Sequence, residues 1–205
     1  MTKRLWRIVS RQFGRPTGLL GRVAGWIMDT RPSNRERNRR TVELLGIGPE
    51  DAVLEIGFGP GLALADLAAR APRGRIVGID HSPLMVAKAS RRNAAAIAAG
   101  RMTLHSLPAE PFPALGGGFH KALAVNVVLF WKEPVATMRR IREQLRPGGV
   151  LALTLQPRQR GATDADARRW ADTLAAQLAE AGYTSVRVEM MPLAPVSAAC
   201  VIGSA

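Results

Sequence analysis

The segment Val53-Leu54-Glu55-Ile56-Gly57-Phe58-Gly59-Pro60-Gly61 places an acid just before a turn with glycine at every second position. Glycine lets a ligand approach the bare main chain and supplies the positive φ that a strand-to-helix turn often requires. A dinucleotide fingerprint counted from Gly57 needs its third glycine at position 62, where this chain has Leu62, so pyrophosphate binding loses its main support. Glu55 is poorly placed to receive a phosphate and well placed to attract an ammonium group. A ligand with an amino-acid end therefore fits this turn better than one with a pyrophosphate. Asp80, at the end of the next apolar run, is positioned for the hydroxyls of a ribose, or else caps the helix that follows.

Other reactive side chains are sparse. His81, His105 and His120 are dispersed without ligand spacing, which argues against a transition-metal site. Cys200 is the only cysteine, so no internal disulfide or cysteine-based zinc cluster can form, and its apolar surroundings from Ala198 to Ile202 mark it as a small buried hydrophobe. His120 is either a base or a solvated residue where a strand begins. No Ser/His/Asp array or carboxylate pair stands out, and no general base is assigned.

These residues must be held by a framework, and the periodicity supplies one. Residues 52 to 56 and 75 to 79 read as buried strands, with a helix between them opened by Gly61 and closed before Pro72. Ser82 and Pro83 open a second helix predicted to run through Met85, Val86, Ala89 and Ile97 to Gly100. A third strand is predicted at Met102 to His105 and a fourth at Lys121 to Val128. A helix follows from Pro134 through Leu145, then a strand from Val150 to Leu155, and a last helix over residues 164 to 181. Val186 to Met190 and Ala198 to Ile202 are predicted to pair as a hairpin. Strands and helices alternating through five units require an α/β, Rossmann-like doubly wound sheet, mostly parallel, with an antiparallel hairpin at its C-terminal edge.

With the loop, the acid and this order of elements in place, the chain resembles the class I S-adenosylmethionine-dependent methyltransferases, within them the type 11 group of ubiquinone and menaquinone C-methyltransferases. The resemblance covers about residues 45 to 155 and rests on VLEIGFGPG, GIDHSPLMVAKA and LRPGGVLAL, in that order. It implies S-adenosylmethionine as cofactor and S-adenosylhomocysteine as product. Gly57, Phe58, Gly59, Pro60 and Gly61 then line the cofactor, Glu55 lies near the methionine amino group and Asp80 holds the ribose. His81 and Met85 flank the adenine, with Ser106 and Leu107 beside it, Ser106 standing where the family often has an acid. Asn126 and Val127 sit beside the departing methyl. Phe119-His120 stands where the family usually reads Phe-Asp. Trp131 either walls the acceptor pocket or packs in the core. The reaction implied is in-line transfer of a methyl group, for which alignment and exclusion of water are the main tasks.

The chain has 205 residues and a net charge of +13, with no run of about 20 apolar residues that would span a bilayer. One domain over residues 46–205 and an N-terminal helical extension over 1–45 are expected, in a cytoplasmic protein. Arginines are concentrated in the first 40 residues, where Leu5, Ile8, Val9 and Phe13 recur at helical spacing opposite Arg4, Arg7 and Arg11. Such a basic amphipathic helix predicts a lid over the cofactor and peripheral association with the inner membrane surface. Met28, Arg31, Asn34, Arg35 and Asn38 are candidates for the acceptor side, together with Trp131. The acceptor is expected to be a small molecule or a lipid-like compound. A non-catalytic Rossmann-like module binding a nucleotide or RNA is the alternative, but 5% aromatic content argues against a nucleic-acid platform.

Overall fold

Val53, Leu54 and Ile56 are all fully buried, although consecutive residues of a strand point to opposite faces, so the sheet that holds them is covered on both sides. The computed structural model, which describes residues 32–205, has seven strands: β1 (Ala52–Ile56), β2 (Arg75–Asp80), β3 (Met102–Ser106), β4 (Phe119–Val125), β5 (Leu145–Leu155), β6 (Thr184–Met191) and β7 (Ala198–Ser204). They form one sheet in the order β3-β2-β1-β4-β5-β7-β6. The first five are parallel, and β7 runs antiparallel between β5 and β6. Among the described residues six helices flank them: α1 (Pro32–Leu45), α2 (Leu62–Arg70), α3 (Pro83–Arg92), α4 (Ala94–Ala98), α5 (Pro134–Gln144) and α6 (Asp164–Glu180).

Two cores result, one on each face. Leu54 and Ile56 pack with Met138 and Ile141 of α5 and Leu174 and Leu178 of α6. Val53 packs with Val42 of α1, Leu64 and Leu67 of α2, and Met85 and Ala89 of α3. Each fully buried aliphatic side chain contributes about 1.5 to 3 kcal/mol, which makes this double layer the frame that fixes the strand ends. Because β1 lies between β2 and β4, the connections leave it in opposite directions. This is the topological switch point of the sheet, and the crevice outside the C-terminal ends of β1 and β4 is where doubly wound sheets bind their ligands.

The expected doubly wound sheet and its terminal hairpin are both present, with several boundaries corrected. The helix predicted to continue to Gly100 stops at Arg92, because Asn93 leaves helical geometry and turns its side-chain amide onto Gly61 O and Ala89 O. The fourth strand ends at Val125 rather than Val128, because Asn126 takes a left-handed conformation with φ 58° and residues 128–130 form a single 3₁₀ turn. Leu145 ends no helix but begins β5, paired with Phe119. The register then shifts, so that Lys121 faces Val150. A Cβ on Gly149 would lie 3.0 Å from Phe119 O, so this irregular approach excludes a side chain. Of the lid expected over residues 1–45, the part over 1–31, with Met28 and Arg31, lies outside the described residues.

α1 falls within the helical extension expected over residues 1–45, but its bounds were not read from the sequence, and its composition explains why. Its sequence PSNRERNRRTVELL buries Asn34, Arg37 and Thr41 along with Val42 and Leu45. A helix that buries polar groups carries no apolar stripe for a periodicity argument to detect. It lies against α2, β4 and β5, on the face of the sheet that holds Val53.

Candidate active site

Glu55 is the penultimate residue of β1, on the face covered by α1 and α2, and is 2% exposed. Its Oε2 is buried without a hydrogen-bond partner. Burial, reinforced by the negative charges of Asp80 and Asp66, pushes its carboxyl well above the ordinary range. An orphaned acceptor of this kind is costly unless a cation meets it. An ammonium group satisfies both the charge and the geometry, so the donor set fits a ligand with an amino-acid end.

The glycine turn that follows is tied down at each step. Gly57 N–H donates to Ile79 O at 2.7 Å, Gly59 N–H to Asp80 Oδ2 at 2.9 Å, and Gly61 N–H to Phe58 O at 3.0 Å. All three glycines have positive φ, but their surroundings differ. A Cβ at Gly57 would come within 2.4 Å of Val127, and one at Gly61 within 2.8 Å of Ala89, so protein neighbours demand glycine at both places. At Gly59 nothing lies within 4 Å of the added atom, and this is the position that opens outward.

Asp80 ends β2 one strand away and is 6% exposed. Its second oxygen, Oδ1, accepts the Ser82 N–H at 2.9 Å, so the carboxylate clamps the glycine turn and the start of α3 together. Burial raises its pKa, against the lowering effect of these two backbone donors. Each oxygen keeps a second acceptor direction for a ligand hydroxyl. Both readings of Asp80 thus describe the same group: it organises the loop and still has acceptor capacity.

The remaining predicted residues fall into distinct places. Phe58 is buried, its ring against Gly78, while Pro60 and Met85 are also buried, Met85 at 1% exposure. His81 is exposed, with Nδ1 3.8 Å from Asp80 Oδ1. Ser106 is exposed at the end of β3, and Leu107 N–H donates to Asp80 O. Asn126 closes the other wall of the crevice: its N–H donates to Thr154 O at 2.7 Å and its Oδ1 accepts the Gln156 N–H at 2.8 Å. A non-glycine residue held in left-handed geometry often marks a functional site. Val127 packs against Gly57 across the crevice. Trp131 is 8% exposed in the α5 core, with its indole N–H unpartnered.

His120 sits at the opposite end of the sheet, where Nδ1 accepts the Ala52 N–H at 3.0 Å and joins β4 to β1. Among the residues expected to face the acceptor, Asn34 is buried and Asn38 donates to its carbonyl at 2.7 Å, whereas Arg35 is exposed. Sequence reasoning missed Arg37, Gln156 and Arg158, which meet around Asn34 at the ends of α1 and β5. The signal available for them was the spacing of Asn34, Arg37 and Thr41, a polar stripe where an apolar one is usual. A cavity of about 600 Å³ lies elsewhere, lined by Glu110, Phe112, Thr137 and Arg140 between α5 and the loop before β4. It contains none of the residues assembled at the crevice.

Comparison with known proteins places this geometry in context. Residues 53–149 match a family described as a methyltransferase domain, a span running from β1 into β5. The chain is 29% identical over 178 residues to an uncharacterized methyltransferase, YdaC, of Bacillus subtilis, covering 87% of this chain and 95% of that protein. It is 37% identical over 124 residues to a trans-aconitate 2-methyltransferase of Methylobacterium nodulans, covering 58% of this chain and spanning 45% of that relative's length. Among solved structures, the N-methyltransferase NodS of Bradyrhizobium japonicum superposes with a TM-score of 0.67 at 23% identity, covering 86% of this chain and 98% of that one.

Proposed function

Since this chain belongs to the class I S-adenosylmethionine-dependent methyltransferases, we propose that its crevice at the ends of β1 and β4 aligns the cofactor for in-line methyl transfer to a small-molecule acceptor. The enzyme uses S-adenosylmethionine, which when bound supplies a methyl group on a positively charged sulfur, already activated toward displacement. The observation that carries the assignment of residues is the buried Glu55 carboxyl, whose Oε2 has no partner until an ammonium group reaches it.

In this reading Glu55 binds the amino group and Asp80 accepts from the ribose hydroxyls while holding Gly59 in place. The opening at Gly59 admits the main chain to close contact with the ligand. His81, Ser106 and Leu107 lie at the adenine end with Met85 beneath, and Asn126 and Val127 border the methyl. Asn126 owes its position to the Gln156 N–H and Thr154 O, so it is held before any acceptor arrives. Such preorganisation supplies the alignment that an activated electrophile still requires. A carboxylate acceptor attacks without carrying a proton, so for that class of acceptor the displacement asks no general base of the chain.

The trans-aconitate 2-methyltransferase relative supports a small, polar acceptor. A lipid-like acceptor reached from the inner membrane surface is the second reading, and it rests on the basic amphipathic pattern of residues 1–15. Binding to anionic vesicles that falls with salt and disappears when residues 1–15 are removed separates the two. Titration calorimetry with S-adenosylmethionine and S-adenosylhomocysteine tests the site itself. Asp80→Ala removes two charge-assisted backbone contacts and the ribose acceptor, so affinity for both ligands is expected to fall about 100-fold or more. Unchanged affinity in that variant contradicts the assignment.

A further inference from the structure

α3 and α4 follow one another with a single residue between them, Asn93, at φ −108° and ψ 23°. Arg91 and Arg92 before it and Ala94, Ala95 and Ala96 after it are strong helix formers, which leaves Asn93 itself as the cause of the break. Asn93 is 5% exposed. Its Nδ2 donates to Ala89 O at 2.9 Å, one turn back, and to Gly61 O at 3.3 Å, 32 residues earlier. The first is the local bond that a short polar side chain makes within a helix, whereas the second ties the helix to the glycine turn. Arg92 repeats the tie one residue earlier, its Nη1 donating to Pro60 O at 2.6 Å. A Cβ on Gly61 would come within 2.8 Å of Ala89 and 2.9 Å of Asn93 Nδ2, so the turn and the helix are in direct contact there.

Two successive carbonyls of the turn, those of Pro60 and Gly61, are therefore held by two successive residues at the C-terminal end of α3. The N-terminal end of α3 holds the Gly59 N–H through Asp80, whose other oxygen takes the Ser82 N–H. The turn is slung along the length of α3, although in the chain it leads into α2. Its glycines at 57, 59 and 61 give it more conformational freedom to lose than any other residue type would. Ordering that takes place only when a ligand arrives is subtracted from its affinity, and bonds that order the turn beforehand remove that cost from binding. Among the described residues nothing lies within 4 Å of an atom added at Gly59, so packing does not hold the middle of the turn, and its geometry depends on the tethers on either side.

We propose that Asn93 is a positioning residue for the cofactor: by holding the Gly61 carbonyl it fixes the main chain that faces the ligand at Gly59, and the break between α3 and α4 is the place where that tether is made. The inference rests on the crevice assignment above. Asn93 touches no reacting atom and acts through Gly61.

Titration calorimetry with S-adenosylhomocysteine on the wild-type chain, Asn93→Ala and Asn93→Ser, with thermal unfolding of each protein alone, reads binding apart from stability. Asn93→Ala loses both side-chain bonds. Asn93→Ser keeps a hydroxyl for Ala89 O but is too short to span to Gly61 O. Both variants are expected to bind S-adenosylhomocysteine about 3- to 10-fold more weakly, the effect of losing one neutral hydrogen bond that orders the site, and Asn93→Ser should melt closer to wild type than Asn93→Ala. Tyr183→Phe, which breaks the buried bond to Met138 O in the α5 core, is the control: it lowers the melting temperature and leaves the affinity at the wild-type value. An asparagine with a merely structural role behaves as Tyr183 does. Should Asn93→Ala fail to fold, Asn93→Ser decides the matter. Wild-type affinity in Asn93→Ser overturns the inference, and the crevice assignment survives if Asp80→Ala still weakens binding. A wild-type chain that does not bind S-adenosylhomocysteine overturns the crevice assignment, and the inference with it.

Discussion

Glu55→Gln separates what the buried carboxyl does for the ligand from what it does to the fold. The group is 2% exposed with Oε2 unpartnered by any protein donor, and burial raises its pKa. A folded pKa above the unfolded value means that the native state holds the proton longer. Stability contributed by the protonated form is present below the ordinary carboxylate range and is lost as pH rises toward the folded value. The isosteric amide has no charge to desolvate, so it should stabilise the free protein at neutral pH by about 1 to 3 kcal/mol. For a chain of this length that is a rise of roughly 2 to 12 °C in melting temperature. Ligand binding should move the other way. Losing a charge-assisted contact to an ammonium group costs about 1.5 to 3 kcal/mol, or about 10- to 150-fold in affinity for S-adenosylhomocysteine. Thermal unfolding between pH 5 and 8, with calorimetry on the same samples, reads both effects. A variant that loses stability while keeping its affinity refutes the reasoning on both counts.

The glycine turn makes a second set of predictions. Gly57→Ala, with Val127 within 2.4 Å of the new atom, is expected to cost about 2 to 5 kcal/mol, partly recovered by adding Val127→Ala; Gly59→Ala carries only the left-handed strain of about 1 to 2 kcal/mol. Denaturant unfolding of the three variants checks that order. Asn126→Gly, which keeps the left-handed backbone at φ 58°, should destabilise less than Asn126→Ala, which adds strain to the loss of the Gln156 contact; urea titrations compare them. Tyr183→Phe removes the buried bond from the phenol to Met138 O and should cost about 1 to 3 kcal/mol in chemical denaturation, with calorimetric affinity for S-adenosylhomocysteine unchanged.

The sheet was legible because its strands are buried on both faces. Apolar runs such as AVLEI and RIVGI stand out without any need for alternation, and the glycines and prolines between them mark the turns. The boundaries that shifted were decided by contacts between distant residues. Asn93 breaks a helix because Gly61, 32 positions earlier, offers its carbonyl, and β5 starts at Leu145 because Phe119 is there to pair with it. The glycine turn was visible as a pattern, yet only the packing reveals that Gly57 and Gly61 answer to Val127 and Ala89 while Gly59 faces open space. The bounds of α1 and its buried arginine escaped, although a helical extension was expected there, because burial follows polar residues and a one-dimensional reading equates burial with apolar character. His120 was left between two roles, and its place is set by strand pairing at the end of the sheet remote from the crevice.

A crystal structure of the wild-type protein soaked with S-adenosylhomocysteine addresses the central claim without any substitution. The account predicts the amino nitrogen within hydrogen-bonding distance of Glu55 Oε2, the sugar hydroxyls on Asp80, and the chain of the ligand passing over Gly59. Density for the compound in another part of the molecule, or a bound pose in which Glu55 still lacks a polar neighbour, contradicts it.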